Sequence, residues 1–92
     1  MKALITGASS GIGRDMVRVL ADKGWDLFIA ARRLDRLEEL KGELAGSNII
    51  CIKADVSTKE GCLALYEEVR NENIDMLINN AGFGVCGMFL KN

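Results

Sequence analysis

The fold of this chain is decided by the stretch Thr6-Gly7-Ala8-Ser9-Ser10-Gly11-Ile12-Gly13. It follows the apolar run Ala3-Leu4-Ile5, which is typical of a short buried strand, and it opens an amphipathic segment at Ile12. A helix that begins there directs its unpaired backbone N–H groups and the positive end of its dipole back at the turn. Glycines let an anion approach the backbone, so the pattern predicts a pyrophosphate site for a dinucleotide. The alternative is an ordinary strand-to-helix turn, which accounts for three glycines less easily.

Strand and helix patterns alternate through the rest of the chain. The predicted strands are Ala3–Ile5, Leu27–Ala30, Ile49–Ile52 and Met76–Ile78. The predicted helices carry apolar residues at helical spacing, namely Ile12, Met16, Val17 and Leu20, then Leu34, Leu37, Leu40 and Leu44, then Cys62, Leu65, Tyr66 and Val69. Glycines at 24 and 46 are natural ends for the first two helices. Ser57 and Glu60 have the spacing of a capping box that opens the third helix.

The strands are continuous apolar runs, which indicates burial on both faces and therefore a parallel sheet. Right-handed crossovers then place two helices on one face and the third helix on the other. We predict an α/β fold, a truncated Rossmann-type doubly wound sheet with four strands in the order 3-2-1-4 and three helices. Residues 1–92 form one partial NAD(P)-binding domain in this interpretation.

Composition excludes several classes of protein. Twelve Lys and Arg against 13 Asp and Glu leave a net charge of −1, so we expect no nucleic-acid binding. No apolar run reaches the roughly 20 residues of a membrane span. Met1 and Lys2 lead directly into the first strand without a secretory signal, from which we expect a cytoplasmic protein. With no histidine and with cysteines only at positions 51, 62 and 86, we expect no metal site.

The end of the second strand carries a signal for cofactor selectivity. Sites that prefer NAD place an acidic residue there, about 20 positions after the glycines. This strand ends instead in Ala30-Ala31-Arg32-Arg33, with Arg32 nineteen residues beyond Gly13. Guanidinium groups bind a 2′-phosphate bidentately, so the sequence favours NADP(H) over NAD(H). The alternative is that both arginines begin a solvated helix and pair with Asp35 or Glu39.

Two further motifs follow the third and fourth strands. Asp55-Val56 places a carboxylate where it can accept a hydrogen bond from an adenine amino group. Its alternative role is to cap the third helix, which Ser57 can do instead. Asn79-Asn80-Ala81-Gly82 offers amide side chains to the strand edge, and its last two residues let a ribose lie close to the main chain.

Together these motifs, in this order and spacing, resemble those of the short-chain dehydrogenase/reductase family, from Lys2 to about Leu90. The resemblance implies NAD(P)-linked oxidoreduction of carbonyls and alcohols on a longer Rossmann fold. It assigns Gly7, Ser9, Ser10, Gly11, Ile12 and Gly13 to the diphosphate turn, Arg32 and Arg33 to the 2′-phosphate, Asp55 and Val56 to the adenine, and Asn80, Ala81 and Gly82 to the ribose side.

The catalytic residues of that family are absent from these 92 residues. The only tyrosine, Tyr66, is followed at the relevant offset by Arg70, which does not relay a proton as lysine does. We therefore predict no catalytic residue in this chain. One interpretation is the amino-terminal portion of an NADP-dependent reductase. The other is a stand-alone nucleotide-binding or interaction module without activity. The final residues Phe89–Asn92, where a further helix is expected to start, favour the first.

The predicted topology leaves the fourth strand at an edge of the sheet. That strand is apolar throughout, and further apolar residues follow it at Phe83, Val85, Met88, Phe89 and Leu90. An exposed apolar edge is a template for pairing with another chain. We therefore predict self-association through the fourth strand and the Phe83–Leu90 segment, as a two-fold dimer that extends the sheet.

Overall fold

The computed structural model describes residues 1–8 and 11–79. The elements are β1 (Lys2–Thr6), α1 (Gly11–Asp22), β2 (Asp26–Ala31), α2 (Leu34–Glu43), β3 (Ile49–Lys53), α3 (Lys59–Val69) and β4 (Met76–Asn79). Each predicted strand and helix is present, with bounds that agree within three residues. The predictions for Ser9, Ser10, Asn80, Ala81, Gly82, Cys86 and the Phe83–Leu90 segment lie outside the described residues.

The four strands form one parallel sheet in the order β3-β2-β1-β4, which confirms the predicted fold. Thr6 lies opposite both Ala30 and Asn79, and Ala31 lies opposite Lys53. Because all strands run in the same direction, their carboxyl ends meet at one edge of the sheet. The loops that follow β1, β2 and β3 therefore begin side by side, and those predicted site residues that the structure describes lie at this edge.

The helices cover the two faces of the sheet as the crossovers predict. One core cluster joins α1 and α2 to the sheet through Val17, Leu20, Leu37 and Leu40. The other joins α3 to the opposite face through Cys62, Leu65 and Val69. β1 and β2 are buried on both faces, but β3 lies at an edge, so its side chains are less covered and Ile50 is 52% exposed. Cys51, in the same strand, is half-buried.

Two details of the helices differ from the predictions. Thr58, not Ser57, is the N-cap of α3, because the Asp55 carboxylate already accepts the hydroxyl and amide of Ser57. Ile12 is 72% exposed and does not belong to the core stripe of α1. Since α1 begins at Gly11, Ile12 lies in its first turn and is about 140° around the helix from the buried Val17.

Candidate functional site

Backbone hydrogen bonds tie two of the loops to the carboxyl end of β2. The Ala8 amide donates to the Ala30 carbonyl at 3.3 Å, and the Ala54 amide donates to the Ala31 carbonyl at 2.9 Å. The turn after β1 and the loop after β3 thus flank the end of β2, with β4 on the far side of β1. The order of connection reverses at β1, and ligands of open α/β sheets bind at such a reversal.

Two described glycines flank the turn between β1 and α1, which is called the glycine turn below. Gly7 and Gly11 have φ values of 66° and 50°, in the left-handed region that side chains disfavour. Gly13 is buried in the first turn of α1. The first amides of α1 have no acceptor within the helix, so they point to the same edge. The exposed Ile12 side chain adds an apolar surface to that turn.

Arg32 and Arg33 are both exposed at the end of β2, but their partners differ. Arg33 donates from Nε and Nη2 to the two carboxylate oxygens of Asp35, at 3.2 and 3.1 Å. This pairing raises the pKa of Arg33 and lowers the pKa of Asp35. Arg32 makes no ion pair with another described residue. The predicted alternative of pairing with Asp35 therefore holds for Arg33 and not for Arg32.

β2 itself carries no carboxylate at its carboxyl end, since its one acidic residue, Asp26, is the first residue of the strand, at the opposite edge. One acid near Arg32 comes from another loop, namely Asp55, which follows β3. The charge of Arg32 contributes, after the hydrogen bonds of Ser57, to lowering the pKa of the Asp55 carboxyl. Arg32 and Asp55 are thus close enough to interact electrostatically across the end of β2.

Asp55 is a half-buried hydrogen-bond acceptor in this loop. Its Oδ1 accepts from the Ser57 hydroxyl and from the Ser57 amide, the latter at 3.0 Å. These two bonds lower the pKa of Asp55, so it is ionised at neutral pH and can only accept. Val56 is buried, and its amide donates to no other described residue. The Asp55 side chain does not cap α3, because Thr58 does.

The sequence did not indicate Thr58 and Gly61 as site residues, yet both contact the backbone of the loop that carries Asp55. Thr58 Oγ1 accepts from the Gly61 amide at 3.0 Å and lies 3.3 Å from the Asp55 carbonyl oxygen, to which it donates. A Cβ added at Gly61 would overlap the Asp55 carbonyl oxygen. Gly61 could have been found from the sequence, because it is a glycine inside a helical pattern, where glycine is otherwise unfavourable.

The structure keeps Tyr66 away from this edge. It is half-buried in the second half of α3, whose first turn adjoins the site, and Arg70 follows that helix and pairs with Glu67 at 3.2 Å. The described residues contain no group of three His, Cys, Asp or Glu side chains that could hold a metal ion. No helix in the described part of the chain is long and apolar enough to cross a membrane.

The family of this chain follows from comparison with known proteins. A family model described as short chain dehydrogenase matches residues 1–92. The chain belongs to the short-chain dehydrogenase/reductase family. It is 44% identical over 91 residues to an uncharacterized oxidoreductase of Staphylococcus saprophyticus, an overlap of 97% of this chain and 37% of that protein. The resemblance that the motifs predicted is confirmed.

Solved structures of the family share this fold. An alcohol dehydrogenase from the archaeon Thermococcus sibiricus, complexed with 5-hydroxy-NADP, has a TM-score of 0.77 at 37% identity, over 83% of this chain and 34% of that one. L-sorbose reductase from Gluconobacter frateurii, complexed with NADPH and L-sorbose, has a TM-score of 0.79 at 39% identity, over 89% of this chain and 33% of that one. The chain thus spans about a third of the length of these relatives.

Proposed function

We propose that this chain is the cofactor-binding portion of an NADP(H)-dependent oxidoreductase. In its full-length form the protein would transfer hydride between NADP(H) and a carbonyl or alcohol substrate. The observation that carries the proposal is the convergence of the glycine turn, Arg32 and Asp55 at the carboxyl edge of the sheet. Membership of an oxidoreductase family favours this function over a stand-alone binding module. A cytoplasmic location stays a prediction.

The residues of the edge fit the chemical parts of a dinucleotide. Gly7 and Gly11 adopt left-handed backbone conformations in the turn where a diphosphate would accept from the first amides of α1. The ionised Asp55 accepts only, as an adenine amino group requires. Arg32 is exposed and has no competing ion pair among the described residues, as a 2′-phosphate partner requires. When bound, the nicotinamide supplies or accepts the hydride, and these side chains bind and orient the rest of the cofactor.

The proposed preference for NADP(H) rests on charge. An acidic residue at the end of β2 would repel a 2′-phosphate, and Ala31 and Arg32 occupy that place. A hydrogen bond to a charged group contributes about 1.5–3 kcal/mol, which corresponds to roughly 10- to 100-fold in affinity. The two similar structures complexed with NADPH or an NADP derivative are consistent with this preference.

The test is calorimetric titration of the chain with NADPH and NADH. We expect tighter binding of NADPH, and we expect Arg32→Asp to lose roughly 10- to 100-fold in NADPH affinity and to reverse the order. Lys23→Asp is the matched control, because it makes the same charge change at the amino edge of the sheet, after α1. Tighter binding of NADH by the unaltered chain would overturn the proposed selectivity. An equal loss of NADPH affinity in Arg32→Asp and Lys23→Asp would overturn it as well.

A further inference from the structure

Two glycines inside helices have opposite surroundings. Gly42 lies near the end of α2, and a Cβ added there would meet no atom within 4 Å. Gly61 is the third residue of α3, and an added Cβ would overlap the Asp55 carbonyl oxygen and lie 2.7 Å from the Asp55 carbonyl carbon. Glycine inside a helix costs about 1 kcal/mol relative to alanine. That cost has no local explanation at Gly42, whereas close approach to the Asp55 backbone explains it at Gly61.

The close approach at Gly61 is part of a closed set of contacts around one carbonyl group. The Asp55 carbonyl oxygen accepts from the Thr58 amide at 3.5 Å and from Thr58 Oγ1 at 3.3 Å. The Gly61 amide donates to that same Thr58 oxygen at 3.0 Å. The Cα of Gly61 therefore lies directly against the peptide group that joins Asp55 to Val56. A side chain at position 61 would have to displace that peptide.

The Asp55–Val56 peptide connects the two groups that would recognise the base. Its carbonyl belongs to Asp55, whose carboxylate accepts, and its N–H belongs to Val56 and has no acceptor among the other described residues. Adenine presents an amino donor beside a ring-nitrogen acceptor, and hypoxanthine presents the reverse pattern. Rotation of the peptide plane would turn the Val56 N–H with the Asp55 carbonyl and so change the direction of that N–H relative to the Asp55 carboxylate. The base would then lose the matched pair of contacts, while the glycine turn and Arg32 would remain in place.

We propose that Gly61 is a positioning residue for adenine recognition, acting through the Asp55–Val56 peptide and supported by Thr58. This inference rests on the proposed dinucleotide function. Gly61 touches no part of the cofactor itself. Its absence of a side chain allows the first turn of α3 to hold that peptide in one orientation, so that the Asp55 carboxylate and the Val56 amide face the base as a pair.

The test compares binding of NADP and of its analogue nicotinamide hypoxanthine dinucleotide phosphate to the 92-residue chain. The readout is the ratio of the two dissociation constants, which a purely structural role would leave unchanged. We expect Gly61→Ala to reduce the preference for adenine by about threefold to tenfold, the discrimination that one net hydrogen bond provides. Gly42→Ala is the matched control and should keep the ratio. In the ligand-free chain, the amide resonances of residues 55–57 should shift in Gly61→Ala alone.

A second pair of variants, at Thr58, tests the same inference if the Gly61→Ala variant does not fold. Thr58→Val removes the hydroxyl that links Gly61 to Asp55 and should also reduce the ratio, whereas Thr58→Ser should keep it. A folded Gly61→Ala or Thr58→Val variant with an unchanged ratio would overturn this inference alone. Binding of neither nucleotide by the unaltered chain would overturn the proposed function and this inference with it. Equal binding of the two would overturn the adenine contact on which the inference rests.

Discussion

Arg32 and Arg33 are adjacent in the sequence, yet only Arg33 has an ion-pair partner among the described residues. Its two bonds to Asp35 join side chains that are 62% and 66% exposed, where solvent screens the charges and leaves the pair little net stabilisation. A phosphate could displace Asp35 at that small cost, but Arg32 needs no displacement. We therefore assign the larger share of the proposed 2′-phosphate binding to Arg32, and this is why that residue is the one changed in the selectivity test.

The Ser57 hydrogen bonds make a specific prediction about pH. Because the pKa of Asp55 is lower in the folded chain than in the unfolded chain, the stability it contributes is present above the unfolded pKa and is lost as pH falls through the folded pKa. The loss therefore occurs below about pH 4. Ser57→Ala should raise the pKa of Asp55 toward its ordinary value, measured by NMR titration of the carboxyl carbon. Ser47→Ala, at a serine outside this loop, should leave it unchanged. A pKa unaffected by Ser57→Ala would contradict the assignment.

At the scale of the elements, the position of α3 depends on which hydroxyl caps it. Ser57 and Thr58 are adjacent and both are good N-cap residues. The structure uses Thr58, whose Oγ1 accepts from the Gly61 amide, while Ser57 is bound to the Asp55 carboxylate. This division of roles orients the helix and the Asp55 loop together. α3 thus contributes to the site through its first turn and to the core through Cys62, Leu65 and Val69.

The assignment of Thr58 as the N-cap of α3 predicts how much stability the protein loses when that hydroxyl is removed. Thr58→Ala should lower the free energy of unfolding by about 1 kcal/mol, within the range of about 0.5–2 kcal/mol measured for N-caps, because the Gly61 amide loses its acceptor. Thr58→Ser keeps a hydroxyl and should recover most of that loss. Urea denaturation followed by circular dichroism measures both values. A larger loss in Ser57→Ala than in Thr58→Ala would mean that Ser57 is the cap after all.

At the scale of the whole molecule, the sheet has two open edges within the described residues, one at β3 and one at β4. β3 and β4 each pair with one neighbour, and both carry apolar side chains that are partly exposed, including Met76 at 39%. α3 alone covers its face of the sheet in the described part of the chain. The structures of the family that resemble this chain are about three times as long.

The apolar edge predicts that the isolated chain self-associates through β4 and the Phe83–Leu90 segment. Sedimentation or light scattering should detect a dimer at micromolar concentrations. Met76→Lys places a charge on the edge strand and should shift the equilibrium toward monomer. Val19→Lys, at a 47% exposed position of α1, is the matched control and should have no such effect. A well-folded monomer of the unaltered chain would contradict the prediction.

A second prediction for the whole chain concerns turnover. The 92 residues contain no Tyr-x-x-x-Lys pair, and Tyr66 lies apart from the carboxyl edge of the sheet. General acid catalysis contributes about 10²–10⁴-fold to such reactions, so the chain alone should not reduce carbonyls with NADPH at a measurable rate. Consumption of NADPH measured by absorbance, with and without a carbonyl substrate, tests this. Robust turnover by pure chain would point to an acid that we have not identified.

Sequence alone determined the order of the strands, the two-sided placement of the helices and the position of the glycine turn. These features follow from local patterns, since continuous apolar runs require burial on both faces and crossovers have one preferred hand. The absence of an acid at the end of β2 was also visible, because it depends only on spacing from Gly13. Each of these features can be predicted from residues that are close together in the sequence.

Only the tertiary structure decided which polar group meets which. It assigned Arg33 to Asp35, gave the α3 cap to Thr58, exposed Ile12 and brought Gly61 against the Asp55 carbonyl. Adjacent candidates such as Ser57 and Thr58 have nearly equal intrinsic preferences, so small differences in loop geometry decide between them. Those differences depend on how β3, its loop and α3 pack against the rest of the sheet, and spacing along the chain does not contain them.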